Sequence, residues 1–455
     1  MVNIASRGSF SGKIGFIMAA AASAVGLGNL WRFPYLAAEY GGGIFLLVYL
    51  IVVVTFGFTL MITEIAIGRK TGKSALGAFE EFGQKYRFIG ILQTIIPLII
   101  VPYYCVITGW VMKYAFDYLT GSGSDLSQSD FFGDFTQFSL DGVLDSPFIW
   151  FILVAVIVML AVSRGVEKGV ERISKVLMPI LLVLLIGLCV YTFTIPGIWD
   201  GLKYYLYPDF SHLSASTFLG AIGQLFYSMS LAMGIMIAYG SYMKKDVPIE
   251  SSVRRISITD TSVAILAGLL IVPVVYVFSN GNMVSGPGLM FETLPSVFGD
   301  MFGGNVIGAV FFILVLFAAL TSAISLFEAL SSIIIDRWGL TRRKAVALVL
   351  IAVLVLGSLS CFGYGPLSGI EILGLKFLDF FDFISNSILM PIVAILTCLF
   401  VGYILKPKAI IDEVEITGEF KSKKMYVFCI KYLCPVCLVL ILITGLLSFL
   451  GVYTI

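Results

Sequence analysis

Charge is scarce in this sequence. Only 13% of its 455 residues are Asp, Glu, Lys or Arg, against 59% hydrophobic, and mean hydropathy is +1.01. So little polar surface cannot cover a water-soluble globule, and the chain reads as a polytopic membrane protein. Histidine is nearly absent: His212 stands alone in a polar connection and reads as a solvated residue rather than a metal ligand. The cysteines number seven, an odd count, and most lie in apolar runs, so no disulfide framework is expected. Cys434-Pro-Val-Cys437 has redox spacing, but it opens the last apolar run with no βαβ pattern near it and reads as packing. Gly41-Gly42-Gly43 lacks the Lys-Ser/Thr of a phosphate loop and reads as a turn or close approach; no nucleotide motif is present. The first apolar run follows a polar segment with Arg7 and Lys13 and lacks a small-residue cleavage site, so no cleavable signal is expected.

Apolar runs of spanning length fill most of the chain. They fall at residues 14–37, 42–67, 88–118, 148–163, 173–195, 216–242, 259–280, 304–335, 343–361, 377–403 and 427–452, which predicts eleven helices. Most of the 29 Lys and Arg lie at the amino terminus or in alternate connections, as at Arg69-Lys70, Arg164, Lys168, Arg172, Arg254-Arg255, Arg342-Arg343 and Lys423-Lys424. These faces are therefore expected in the cytoplasm. The loop 121–147 holds Asp125, Asp130, Asp134, Asp141 and Asp145 with no Lys or Arg and reads as outside. Eleven spans of a plasma-membrane protein then place the amino terminus in the cytoplasm and the carboxyl terminus outside.

The first run is interrupted. Between Ala22 and Pro34 the sequence Ser23-Ala24-Val25-Gly26-Leu27-Gly28-Asn29-Leu30-Trp31-Arg32-Phe33 sets two glycines, an asparagine and an arginine near mid-membrane. Each is costly there unless it lines a cavity. Carbonyls and amides freed by a broken helix can coordinate a cation and hold an anionic group, so the break is the candidate binding site. A repeat architecture predicts a matching break in a second half, and the sixth run supplies Gln224, Ser228, Ser230 and Gly234. Serines can also bond back to their own helix, so this second break draws its weight from the first.

The run Ser23 to Tyr35, followed by Glu39-Tyr-Gly-Gly-Gly43 and Glu64-Ile-Ala-Ile-Gly-Arg69, closely resembles the neurotransmitter:sodium symporter family, in its bacterial amino-acid transporter branch. The resemblance runs through ten helices. It implies an all-α membrane fold of two inverted five-helix repeats, residues 14–195 and 216–403, with helices one and six broken and an eleventh helix at 427–452. Many relatives have a twelfth helix; the oligomeric state stays open.

Two sodium sites follow from the resemblance. One uses the Ala24 carbonyl, Asn29, Ser228, Asp260 and the substrate carboxylate; the other uses carbonyls of Ala22, Val25 and Ala318 with the hydroxyls of Thr321 and Ser322. Neutral oxygens can replace the water around a hard cation without stacking up negative charge. Chloride-dependent relatives resemble this chain around Tyr49, Gln224 and Ser228 but have Asn where it has Asp260, so a fixed carboxylate implies independence of chloride. A capping Asp at the cytoplasmic start of the seventh helix is the plainer alternative.

The substrate carboxylate is expected at the amides around Leu27 and Gly28, assisted by Tyr104, and its ammonium at carbonyls of Ala24, Tyr227 and Ser228 with the Ser230 hydroxyl, beside Ser322. Gly26 separates subclasses, since monoamine carriers place an aspartate there; glycine implies an amino acid that brings its own carboxylate. Val101, Met233, Ala323 and Leu326 would line an apolar pocket for a neutral hydrophobic or aromatic L-amino acid. Arg32 with Asp382 or Asp379 would form an outer gate, Asp382 being preferred, with Tyr104 and Tyr227 as an aromatic lid. Arg7, Asp336, Ser241 and Tyr242 would form an inner gate with Phe10 as a plug. Gly169 and Pro179 weaken the fifth helix so that it can unwind. Glu64, Lys113 and Glu328 have no assigned role.

Two sodium ions moving with a zwitterion carry two charges, so 100 mV contributes about 4–5 kcal/mol, roughly a thousandfold in accumulation. The expected activity is symport, not enzymatic catalysis, with an amino acid and the lipid bilayer as partners and no nucleic acid. A membrane amino-acid sensor and a proton-coupled carrier are the other readings.

Overall fold

The computed structural model describes residues 8–128, 130–278 and 288–449. Among them the architecture is all α, the only β pairing being isolated bridges of Gly42 with Pro208 and Ile372 with Leu375. A helix stands at each of the eleven apolar runs. α1 comes in two pieces, α1a (Lys13–Ala24) and α1b (Gly28–Glu39), bent by 51°. There follow α2 (Gly43–Thr71), α3 (Gln84–Thr120), the shorter α4 (Pro147–Ser163) and α5 (Val166–Thr192). α6 is again divided, into α6a (Ala215–Ser228) and α6b (Ile235–Ser241). Then come α7 (Ile249–Phe278), α8 (Gly304–Trp338), α9 (Arg342–Phe362), α10 (Phe377–Ile404) and α11 (Lys423–Leu447). Eight of these unbroken helices are long and apolar enough to span a bilayer, and the bent α1 pair makes nine.

Small residues set the close crossings. α1a is alanine-rich, a strong helix former, and Ala19 to Ala24 are buried. A Cβ at Gly68 of α2 would overlap the Ile237 carbonyl of α6b, and one at Gly240 would overlap the Ile65 carbonyl, so the two helices touch backbone to backbone. The glycine triplet before α2 is a close approach: Gly42 has φ 57° and a Cβ there would collide with the Tyr204 carbonyl. All seven cysteines are unpaired thiols, six of them buried, as a packing role requires.

Two helices, α5 and α7, start seven and ten residues earlier than the hydropathy predicts. α7 begins at Ile249, because Glu250 is not a loop residue: its carboxylate accepts from the Lys421 and Ser422 amides at 3.0 and 3.1 Å. α5 begins at Val166 with a wide turn through Glu171 and runs unbroken across Pro179. The acidic stretch 121–147 carries short helices, Gly123–Leu126 and Phe131–Thr136. Lys113 is explained there: buried on α3, it pairs with Asp117 at 2.9 Å and Asp145 at 2.8 Å.

Candidate functional site at the helix breaks

At the first break α1a ends on Ala24 and Val25 turns extended, with ψ 108°. The Asn29 side chain spans the gap, its Oδ1 accepting from the Gly26 amide at 3.0 Å. The Leu27 amide donates to the Tyr104 hydroxyl of α3 at 3.3 Å. Glycine is needed at both expected positions: a Cβ on Gly26 would lie 2.6 Å from Ser322 Oγ and 2.9 Å from the Tyr104 oxygen, and one on Gly28 would lie 2.6 Å from the Tyr227 ring.

The second break is more strained than its sequence suggests. Ser230, Ala232 and Gly234 all have positive φ, at 52°, 61° and 71°, a conformation costing roughly 1–2 kcal/mol for each residue with a Cβ. Glu64 compensates. Its buried carboxylate accepts from the Ala232 amide at 2.7 Å, so a residue without a role in the sequence is the cap of the α6 break. Glu64→Ala is expected to destabilise the protein by about 1–3 kcal/mol, read in thermal unfolding of the detergent-solubilised protein, with Glu64→Gln milder because it keeps an acceptor.

The two breaks face each other. Ser23, which the sequence reading passed over, is their junction: its carbonyl accepts from Ser230 Oγ at 2.9 Å and from Ser322 Oγ of α8 at 3.0 Å. Ser322 Oγ also donates to the Val25 carbonyl at 3.2 Å, and Thr321 Oγ1 to the Ala318 carbonyl at 3.0 Å. The backbone from Val25 and the hydroxyls of α8 are thus brought together, with Ala22 buried on α1a just before them.

A second polar cluster lies on the other side of α1. Asn29 Nδ2 donates to Asp260 Oδ1 at 2.8 Å and to Ser228 Oγ at 3.0 Å, and Ser228 Oγ donates to both Asp260 oxygens at 3.0 and 3.1 Å. Asp260 sits well inside α7, not at its first turn, which removes the capping alternative. Its carboxylate is fully buried and held by neutral donors, with no Lys or Arg ion pair to it among the described residues. A buried carboxylate without a cation is costly, and a hard cation such as sodium fits that deficit and this oxygen-rich surround. Tyr49 stands beside Asp260 and Ser228, and Gln224 Nε2 donates to the Gly28 carbonyl at 2.7 Å. Val101 and Tyr104 on α3, Met233 in the α6 break, and Ala323 and Leu326 on α8 are all buried.

The two ends of the molecule differ. At one end a cavity of about 590 Å³ is lined by Arg32, Tyr35, Tyr227, Asp379, Asp382 and Asn386 among others. The Arg32 guanidinium lies over the Tyr227 ring, 5.6 Å from its centre. Asp382 accepts from Tyr103 at 3.1 Å and Asn386 at 2.5 Å, while Asp379 is occupied by Tyr364 at 3.1 Å. Among the described residues no ion pair closes Arg32 directly onto Asp382. The opposite end is packed shut. Phe10 is buried edge-on against Phe16, Tyr239 and Tyr242. Asp336 accepts from the Ser74 amide and hydroxyl at 2.8 and 2.6 Å, and Tyr242 donates to Glu328 at 2.8 Å. Arg7 lies outside the described residues.

This arrangement has relatives. The family model described as sodium:neurotransmitter symporter matches residues 7–125 and 135–453. An uncharacterised sodium-dependent transporter, YhdH, of Bacillus subtilis (strain 168) is 32% identical over 97% of this chain and 98% of its own. An uncharacterised sodium-dependent transporter of Haemophilus influenzae is 30% identical over 97% of this chain and 98% of its own. The solved structure of MhsT in complex with L-phenylalanine superposes with a TM-score of 0.86 at 34% identity, covering 96% of this chain and 100% of that one. With its broken α1 and α6 enclosing a buried acid and an unwound backbone, the chain belongs to the sodium:neurotransmitter symporter family, a sodium-dependent membrane transporter and not an enzyme.

Proposed function

We propose that this protein imports a neutral hydrophobic or aromatic L-amino acid with two sodium ions, by alternating access and without chloride. The observation that carries the reading is the meeting of the two breaks at Ser23, beside Gly26, where any side chain would collide with Tyr104 and Ser322. There the amides of Leu27 and Gly28 receive the carboxylate with Tyr104, and carbonyls of Ala24, Tyr227 and Ser228 with Ser230 receive the ammonium. Val101, Met233, Ala323 and Leu326 receive the side chain, a reading supported by the L-phenylalanine bound to MhsT. One sodium is held by the Ala24 carbonyl, Asn29, Ser228, Asp260 and the substrate carboxylate. The other is held by carbonyls of Ala22, Val25 and Ala318 with Thr321 and Ser322.

The cavity above Arg32 and the sealed end at Phe10 support an outward-facing state, closed when Arg32 and Asp382 draw together and reopened inward by parting of Asp336 from Ser74 and of Tyr242 from Glu328, with Arg7 as the expected cation of that gate. The amino terminus then lies in the cytoplasm and the carboxyl terminus outside, with residues 14–195 and 216–403 as the inverted repeats.

Proteoliposomes test the reading. Labelled L-phenylalanine is expected to accumulate above its external concentration only under an inward sodium gradient, and equally when gluconate replaces chloride. Asp260→Asn is expected to lower chloride-free uptake about tenfold, roughly 1.4 kcal/mol, with recovery on adding chloride. Binding without accumulation would favour a sensor, and uptake driven by a pH step without sodium would favour proton coupling. Loss of wild-type uptake in gluconate would refute chloride independence.

A further inference from the structure

The junction of α4 and α5 carries a surface pocket of about 640 Å³, remote from the helix breaks, lined by Arg164, Lys168, Arg172, Ile173, Val176 and Leu177. Its two halves differ in chemistry. Arg164 ends α4, Lys168 lies in the wide first turn of α5, and Arg172 follows it; all three are exposed and none forms an ion pair among the described residues. The nearby acids do not neutralise the cluster. Glu171 is buried and taken by Ser11 and Lys175, and Glu167 is a single exposed carboxylate against three cations. Below the cations Ile173, Val176 and Leu177 make an apolar floor.

That floor continues along the membrane. Val176, Ile180, Val183, Ile186 and Val190 recur at helical spacing down one face of α5, each exposed by 42% to 68%. Only 33% of the most apolar stretch of α5 is buried in the protein. A cationic head pocket over a continuous greasy stripe has the form of one lipid molecule: an anionic head among the guanidinium and ammonium groups, an acyl chain along the stripe. A free phosphate would use the cations but not the floor.

We propose that this pocket binds the head group of an acidic phospholipid, with an acyl chain along the exposed face of α5. Native mass spectrometry of the full chain released from detergent with phosphatidylglycerol or phosphatidylcholine tests it. Wild type is expected to retain one phosphatidylglycerol beyond the number kept by the variant R164Q/K168Q/R172Q, and no such extra phosphatidylcholine. Titrated phosphatidylglycerol should bind about fivefold more weakly for each cation removed, so Lys168→Gln alone shows the effect if the triple variant does not fold. A control variant neutralising Lys406, Lys408 and Lys424, cations elsewhere on the chain, should retain the lipid. The proposal is overturned if wild type holds no extra phosphatidylglycerol, if the control loses it equally, or if inorganic phosphate protects against thermal unfolding as well as the lipid does.

Discussion

Replacing Gly26 with alanine is expected to weaken L-phenylalanine binding about 10- to 100-fold, the equivalent of roughly 1–3 kcal/mol of overpacking. The methyl would arrive 2.6 Å from Ser322 Oγ and 2.9 Å from the Tyr104 hydroxyl. Neither neighbour can yield freely, because Ser322 holds the Ser23 and Val25 carbonyls and Tyr104 holds the Leu27 amide. The loss should therefore appear in substrate binding, together with a lowered thermal unfolding temperature even without substrate, because the methyl clashes before any ligand arrives. Equilibrium binding of labelled L-phenylalanine measures it. Unchanged affinity would mean that the ligand does not sit in front of Gly26.

Arg342→Ala should carry the largest stability cost, about 3–5 kcal/mol, because it strips the charge partner from a fully buried acid. Glu328 is 0% exposed on α8, and Arg342 reaches it from α9 at 2.6 Å and 3.0 Å through two nitrogens. The Tyr242 hydroxyl also donates to Glu328, which ties α6b to the same carboxylate. Removing the guanidinium leaves an uncompensated charge that a single phenol cannot offset. Thermal unfolding in detergent reads the effect, and the double change Glu328→Gln with Arg342→Gln should recover part of it, since it deletes the buried charge along with its partner. A double variant no better than Arg342→Ala would show that packing, not charge, is at stake.

The break in α1 was legible because glycine, asparagine and arginine in mid-membrane have few structural excuses. The break in α6 was legible only by analogy with it. Two of its three left-handed residues are Ser230 and Ala232, types that carry no signal for positive φ, and their cap, Glu64, lies 168 residues from the amide it holds. Pairing across such distances is a property of the fold, which is why Glu64, Lys113 and Glu328 had no role in the sequence and a clear partner in the structure. The start of α7 was hidden for a different reason. Glu250, Arg254 and Arg255 break the hydropathy of its first turns, although all three are helical and Glu250 docks the segment before α11. That shift moved Asp260 from a presumed helix start into the interior, where its burial and its bonds to Asn29 and Ser228 distinguish it from a cap. Ser23 lies within the first motif, yet its carbonyl as the meeting point of α1, α6 and α8 cannot be read from a local pattern.

Ion and solute are proposed to share the unwound backbone of α1 and α6. Equilibrium binding of labelled L-phenylalanine to the purified protein, in sodium or in choline at equal ionic strength and without chloride, tests it most directly. Binding is expected to be saturable in sodium, to fall to background in choline and to be lost in sodium for Asp260→Ala, which lacks the carboxylate proposed to complete the shared site. Equal binding in the two salts, or full sodium-dependent binding by Asp260→Ala, would contradict it.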